Sequence, residues 1–241
     1  MPADEKPIAS VWTRPHRPQR EQLTREQIVA AAIELLDLEG IEALSMRKLG
    51  TRLNAAATSL YRHVANKDEL IELVVDDVYG ELEVPGVADR AQWRAAVTRS
   101  AADLRAMTLR HPWIAPELGQ VGLVHIGPNA MRMSSGLLAQ FEAAGFAADE
   151  KDRAAGTLMA YVIGIATFET AYLSQITRSG KTEQEWVAGL RPAFEEASQE
   201  HPRLREGSAA RHDVHPQQIR DDDFAYGLDR VLDGLAARLD A

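Results

Sequence analysis

Helix-start signals recur between residues 23 and 82 at intervals that divide the segment into a long helix, two short ones and then a longer one. Thr24 followed by Gln27 is a capping-box pattern, in which each side chain satisfies the other residue's backbone N–H. The run it opens, "REQIVAAAIELLDLEG", puts Ile28, Ala32, Leu35 and Leu36 on one stripe and ends at Gly40, where a left-handed residue closes a helix. Ser45 opens "MRKLGTRL", with Leu49 and Leu53 four apart and a break at Asn54. A third short helix is expected over 57–63. Asn66 caps a fourth, "KDELIELVVDDVYGEL", striped by Leu70, Val74 and Val78 and ended by Pro85 and Gly86. The second and third helices, joined by a tight turn, make a helix-turn-helix.

The rest of the chain also reads helical. Helices are expected over 91–110, 129–144, 149–176 and 182–200, the last kinked at Pro192. Residues 201–221 are polar, carry His201, His212 and His215, and read as a loop. Asp221 to Asp223 are expected to cap a final helix striped by Phe224, Leu228, Leu235 and Leu239. No stretch alternates with period two, and there is no internal repeat. The expected fold is therefore all-α: an N-terminal helix-turn-helix three-helix domain and a larger C-terminal helical domain. The expected divisions are a flexible basic arm over 1–22, the helix-turn-helix domain over 23–82 and the larger domain over 83–241.

Charge is unevenly spread. The chain carries a formal charge of -9. Yet residues 43–67 hold five bases (Arg47, Lys48, Arg52, Arg62 and Lys67) and no acid. The arm adds Arg14, Arg17, Arg20 and Arg25 against Glu21. On charge alone, this is equally a solvated surface or the footprint of a polyanion met by one face. Position decides between them. The second helix of a helix-turn-helix lies in the major groove, where carboxylates would face phosphates. Leu60 and Val64 are expected to face inward, and Thr58, Ser59, Tyr61, Arg62 and His63 outward. Lys67 can reach a phosphate beside a helix N-terminus. Taken singly, Tyr61, His63, Arg47 and Lys48 have ordinary surface roles; together, at this spacing, they point to double-stranded DNA.

The segment "GIEALSMRKLGTRLNAAATSLYRHVANKDEL" resembles the DNA-binding domain of the TetR family of bacterial transcriptional repressors, above all the branch of the tetracycline repressor. The likeness includes the "LYxHVxNK" core as Leu60, Tyr61, His63, Val64, Asn66 and Lys67. It implies DNA contact by Arg47, Ser59, Tyr61, His63 and Lys67, a homodimer on a palindromic operator, a small-molecule effector in the larger domain and a cytoplasmic location. Thr58 stands where tetracycline repressors carry a proline and Arg62 where they carry a tryptophan, so the operator should differ from theirs. Those repressors hold a magnesium–drug complex through histidines; Glu83 and Glu117 stand at those positions here, which counts against tetracycline. No cofactor or metal site is expected.

The 21-residue apolar run "GTLMAYVIGIATFETAYLSQI" is long enough to cross a bilayer. It carries Glu169 and several hydroxyls and lacks flanking bases, so a buried core helix is expected and no membrane partner. Gly156, Ala160 and Gly164, four apart, would let a second helix approach closely. Candidate ligand contacts are Met107, Trp113, Met131, Phe141, Tyr161, Ile165, Phe168, Glu169 and Tyr172, apolar and aromatic groups with a polar one among them. Each also fits as plain core. Glu169 has two roles open to it: a ligand contact, or an ion pair with an arginine across a dimer.

Other classes find little support. The first ten residues lack an apolar signal core, and the chain has no cysteine, which suits a reducing compartment. There is no Gly-rich phosphate loop, GxSxG or HExxH motif, so an enzyme is not expected; a His111–Glu117 pair would be its nearest approach to acid–base chemistry. A DNA-binding regulator without an inducer stays open.

Overall fold

The computed structural model describes residues 23–87, 89–121, 124–209 and 213–239. The basic arm expected over 1–22, with Arg14, Arg17 and Arg20, lies outside the described residues, as does His212. The described residues form ten α-helices and no strand.

Four helices make the N-terminal head: α1 (Arg25–Glu39), α2 (Met46–Arg52), α3 (Ala57–Leu60) and α4 (Lys67–Tyr79). The expected caps are in place. Thr24 Oγ1 accepts the Gln27 N–H while Gln27 Oε1 accepts the Thr24 N–H. Ser45 accepts from the Lys48 N–H and Asn66 from the Glu69 N–H. Each such cap contributes about 1 kcal/mol. Ile28, Leu35, Leu49, Leu60, Val64, Leu70 and Val74 close the head's core, all 1% exposed or less. The turn between α2 and α3 depends on Gly50: a Cβ there would lie 2.8 Å from the Ala55 carbonyl. Asn54 takes the left-handed conformation, φ 50°, that such a turn needs and that asparagine tolerates. Helix α3 is shorter than expected. After Leu60 the chain tightens into turns, with the His63 N–H on the Leu60 carbonyl, and only then releases Val64 into the core.

The body holds α5 (Trp93–Arg110), α6 (Pro128–Ala144), α7 (Ala148–Ser179), α8 (Glu183–Ala197), α9 (Pro202–Ala209) and α10 (Pro216–Ala236). At about 1.5 Å per residue, α7 spans roughly 48 Å and forms the spine. Helices α5, α6 and α10 pack on it. Rings of Trp93, Phe141 and Phe146 meet edge-on or tilted at the α5–α6 junction, with centroids 5.4 to 6.2 Å apart. Among the described residues, α7 alone is long and apolar enough to cross a membrane. It packs against four helices of the body, α5, α6, α8 and α10, and buries Glu169.

The C-terminal stretch departs from expectation. Residues 202–209 are helical, and α10 begins at Pro216, not near Asp221. Proline at the first helical position is pre-set for the helix, and His215 caps the turn by accepting the Gln217 N–H. The added turn brings Ile219 and Arg220 against α7 and α8. The polar composition of residues 201–221 gives these helices no apolar stripe by which periodicity could show them.

Candidate DNA-reading face and effector cavity

The head exposes the side chains that the sequence singled out. Tyr61 is 51% exposed although aromatic, and Arg47, Lys48, Thr58 and Arg62 are exposed around it. Ser59, His63 and Lys67 are half-buried at the same rim. Leu60 and Val64 point inward and anchor this face to α1 and α2. Two bases of the patch are engaged: Lys48 pairs with Glu39, and Arg52 pairs with Glu34 at 2.8 Å. Arg47, Arg62 and Lys67 have no carboxylate partner among the described residues. Cations held without partners beside an exposed tyrosine suit a phosphate backbone.

Helix α4 leaves the head and enters the body. Asp76 accepts the N–H groups of Asn129 and Ala130 at 2.9 and 3.0 Å, so a side chain of α4 caps α6. Arg132 of α6 donates to the Tyr79 and Leu82 carbonyls. Tyr79 is fully buried, and burial pushes its phenol well above the ordinary value, so it stays neutral. A second attachment ties α1 to the body. Asp37 Oδ1 lies 2.7 Å from His111 Nδ1 and accepts the Trp113 indole N–H at 2.7 Å. His111 Nε2 lies 3.1 Å from Glu81, which also accepts from Arg110 at 2.6 Å.

The body holds a cavity of about 520 Å³ between α7, α8 and the start of α10. Of the nine candidate ligand contacts, Ile165, Phe168, Glu169 and Tyr172 line it. Val187, Leu190 and Phe194 of α8 and Phe224 of α10 complete an apolar wall. Met107, Trp113 and Phe141 instead lie in the core, where methionine and aromatic bulk fills helix junctions. Met131 is exposed on α6. Tyr161 does not line the cavity; it stacks on Phe224 and donates to its carbonyl at 2.8 Å.

The polar end of the cavity is a chain of ion pairs. Arg105 grips Glu169 with two 2.9 Å bonds, reaches Asp221 at 2.8 Å and lies over the Phe224 ring. Arg220 approaches Glu169 at 3.8 Å and pairs with Glu183. Glu169 is thus paired with an arginine of its own chain. Burial, then the nearby Glu183 carboxylate, raises the Tyr172 phenol, which remains a neutral donor near pH 7. Sequence reasoning missed Val187, Leu190 and Phe194, although their spacing is helical. Nothing local marked Arg105, Arg220, Asp37 or Glu81, whose partners are far along the chain.

A family model of the tetR family of bacterial regulatory proteins matches residues 28–74, and a tetracyclin repressor-like C-terminal domain matches 85–239. The chain belongs to the TetR family. An HTH-type transcriptional regulator of Saccharopolyspora erythraea is 41% identical over 168 residues, covering 69% of this chain and 70% of the relative. The HTH-type transcriptional repressor DrrR1 of Streptomyces coeruleorubidus is 33% identical over 224 residues, 92% of this chain and 80% of that protein. Among solved structures, the TetR family protein ActR of Streptomyces coelicolor in complex with actinorhodin superposes with a TM-score of 0.73 at 29% identity, covering 90% of this chain and 97% of that one.

For a TetR family regulator, the two positions at which tetracycline repressors carry histidines have other duties here. Glu83 pairs with Arg99 at 3.2 Å, and Glu117 takes His125 at 3.1 Å and Gln120 at 3.0 Å. No group of three or more metal-binding side chains occurs among the described residues. The His111–Glu117 pair does not form, since His111 is held by Asp37 and Glu81. This TetR family chain is a transcriptional regulator, like the relatives that are named as such.

Proposed function

We propose that this regulator is a repressor that binds a palindromic operator as a homodimer and leaves it when a small apolar or aromatic molecule enters the body. The acid-free segment 43–67 around Tyr61, whose Arg47, Arg62 and Lys67 have no carboxylate partner among the described residues, carries the reading. It acts in the cytoplasm, on DNA, without a cofactor. Helix-turn-helix dimers read two half-sites about one helical turn apart. Dimerisation is supported by the outer face of α7, where Gly156, Ala160, Gly164 and Phe168 are all exposed, Phe168 by 73%. An added Cβ at Gly156, Gly164 or Gly234 meets nothing, which leaves room for another helix to approach. The effector site is supported by the cavity between α7, α8 and α10, whose ionic groups largely satisfy one another and leave apolar wall for the ligand. DrrR1 is named a repressor, and ActR has been solved with actinorhodin, an example of a small effector in this family.

Release follows from linkage. An effector that binds better when the two heads are wrongly spaced weakens DNA binding by the same factor. Helix α4 joins head to body and is the lever. The test is a salt titration of binding to fragments from the protein's own promoter. Affinity should fall steeply with salt, by one counterion-release increment per phosphate contact. Absence of salt-sensitive binding to every fragment would end this reading.

A further inference from the structure

His111 is only 8% exposed, and each of its ring nitrogens faces a carboxylate. Asp37 comes from α1 of the head, at 2.7 Å, and Glu81 from the segment after α4, at 3.1 Å. The other charged groups at the joint are Arg110, on the same helix end as His111, and Asp77 of α4, whose carboxyl is raised by burial and by the Asp76 and Glu81 charges; Trp113 supplies a neutral donor. A neutral imidazole carries one N–H and one lone pair, so it can satisfy one of these carboxylates and must oppose the other. Only the doubly protonated ring donates to both. Burial alone would raise the Glu81 carboxyl, but the Arg110 bond and the His111 and Arg110 charges hold it below its ordinary value.

We propose that His111 is a proton-dependent latch between the DNA-reading head and the regulatory body. Histidine is the side chain that ordinarily changes charge between about pH 5 and 8. When the ring loses its proton, one of the two ties, to Asp37 or to Glu81, is lost. Trp113 still holds Asp37, so the head is loosened and not released. The device extends the function proposed above but does not rest on it, because its readout needs neither operator nor effector.

The test is amide hydrogen exchange in the last turn of α1, on the full chain, corrected for intrinsic base catalysis. Protection should fall roughly tenfold between about pH 6 and pH 8.5, the scale of one lost charge-assisted bond. His111→Gln, checked for folding by circular dichroism, should abolish that step, whatever His63 does elsewhere in the head. Glu81→Gln keeps the ring, and its amide can donate to a neutral ring or accept from a charged one, so the step should shrink. A wild-type profile without a step overturns the proposal, as does an unchanged step in folded His111→Gln. If His111→Gln fails to fold, an unchanged step in Glu81→Gln overturns it alone.

Discussion

Asp76 and Asn129 join helices that the chain order keeps 53 residues apart: one carboxylate oxygen of Asp76 accepts the Asn129 N–H, and the other accepts the Asn129 side-chain amide at 3.2 Å. The same carboxylate accepts the Ala130 N–H, and Gly127 leaves no room for a side chain beside it. Helix α4 and the start of α6 therefore move together. Replacing Asp76 with alanine removes the side chain that caps α6. The expected cost is about 1–2 kcal/mol, the range for a lost cap. In a chain of this size that lowers the melting temperature by roughly 2–4 °C per kcal/mol. A circular-dichroism melt measures it; an unshifted midpoint would mean that water replaces the carboxylate.

Tyr61→Ala tests the reading face without touching the core. The side chain is exposed and the neighbouring Leu60 does the packing, so unfolding stability should stay within about 0.5 kcal/mol of wild type, as is usual for surface substitutions. Operator affinity should fall by roughly tenfold or more, the scale of a lost specific contact. Equal gel-shift titrations for variant and wild type would remove Tyr61 from the interface.

The head was legible in the sequence because its determinants are local. Thr24, Ser45 and Asn66 each cap a helix whose first turn lies within three residues, and Leu60 and Val64 sit one helical repeat apart. The body was less so, because its determinants are distant in sequence. Glu169 was visible as an oddity in an apolar helix, but its partner Arg105 is 64 residues away and looks like any surface arginine. His111 invited pairing with nearby Glu117, whereas folding gave it Asp37, 74 residues earlier. Four cavity residues came from the one stripe of α7 that periodicity displays; the facing wall on α8 was passed over because its helix is mostly polar.

Glu169→Gln should be costly. It leaves the 12%-exposed Arg105 side chain with Asp221 alone and strips Arg220 of a second carboxylate. Breaking one partner of a buried pair typically costs about 3–5 kcal/mol, because the survivor keeps its desolvation penalty. Denaturant unfolding should show a loss approaching that range. The double change Glu169→Met with Arg105→Met should recover much of it, since no charge is then stranded; no recovery would show that the pair does more than cancel itself.

The Glu81 carboxyl is held below its ordinary 4.5, burial being outweighed by Arg110 and His111. It therefore binds a proton more weakly folded than unfolded. Its contribution to stability is complete above the ordinary value and is lost as pH falls through the lower folded value. The stability gap between wild type and Glu81→Gln should therefore close as pH falls below the ordinary value of 4.5. A gap that stays constant to the acid end would show that Glu81 has no depressed titration in the folded chain.

Gly164→Leu separates the stability of one subunit from the assembly of two. Gly164 is exposed on α7, and an added Cβ meets no atom of its own chain. Within one subunit the change should be neutral or favourable, since glycine in a helix interior costs about 1 kcal/mol relative to good helix formers. Across a close helix–helix seam, the same side chain would hold the two backbones apart. Sedimentation should therefore show a weakened dimer from a chain whose helicity is unchanged, and operator affinity should fall with it, since one head reads only a half-site. A variant that stays dimeric at the wild-type dissociation constant would move the seam away from this face of α7.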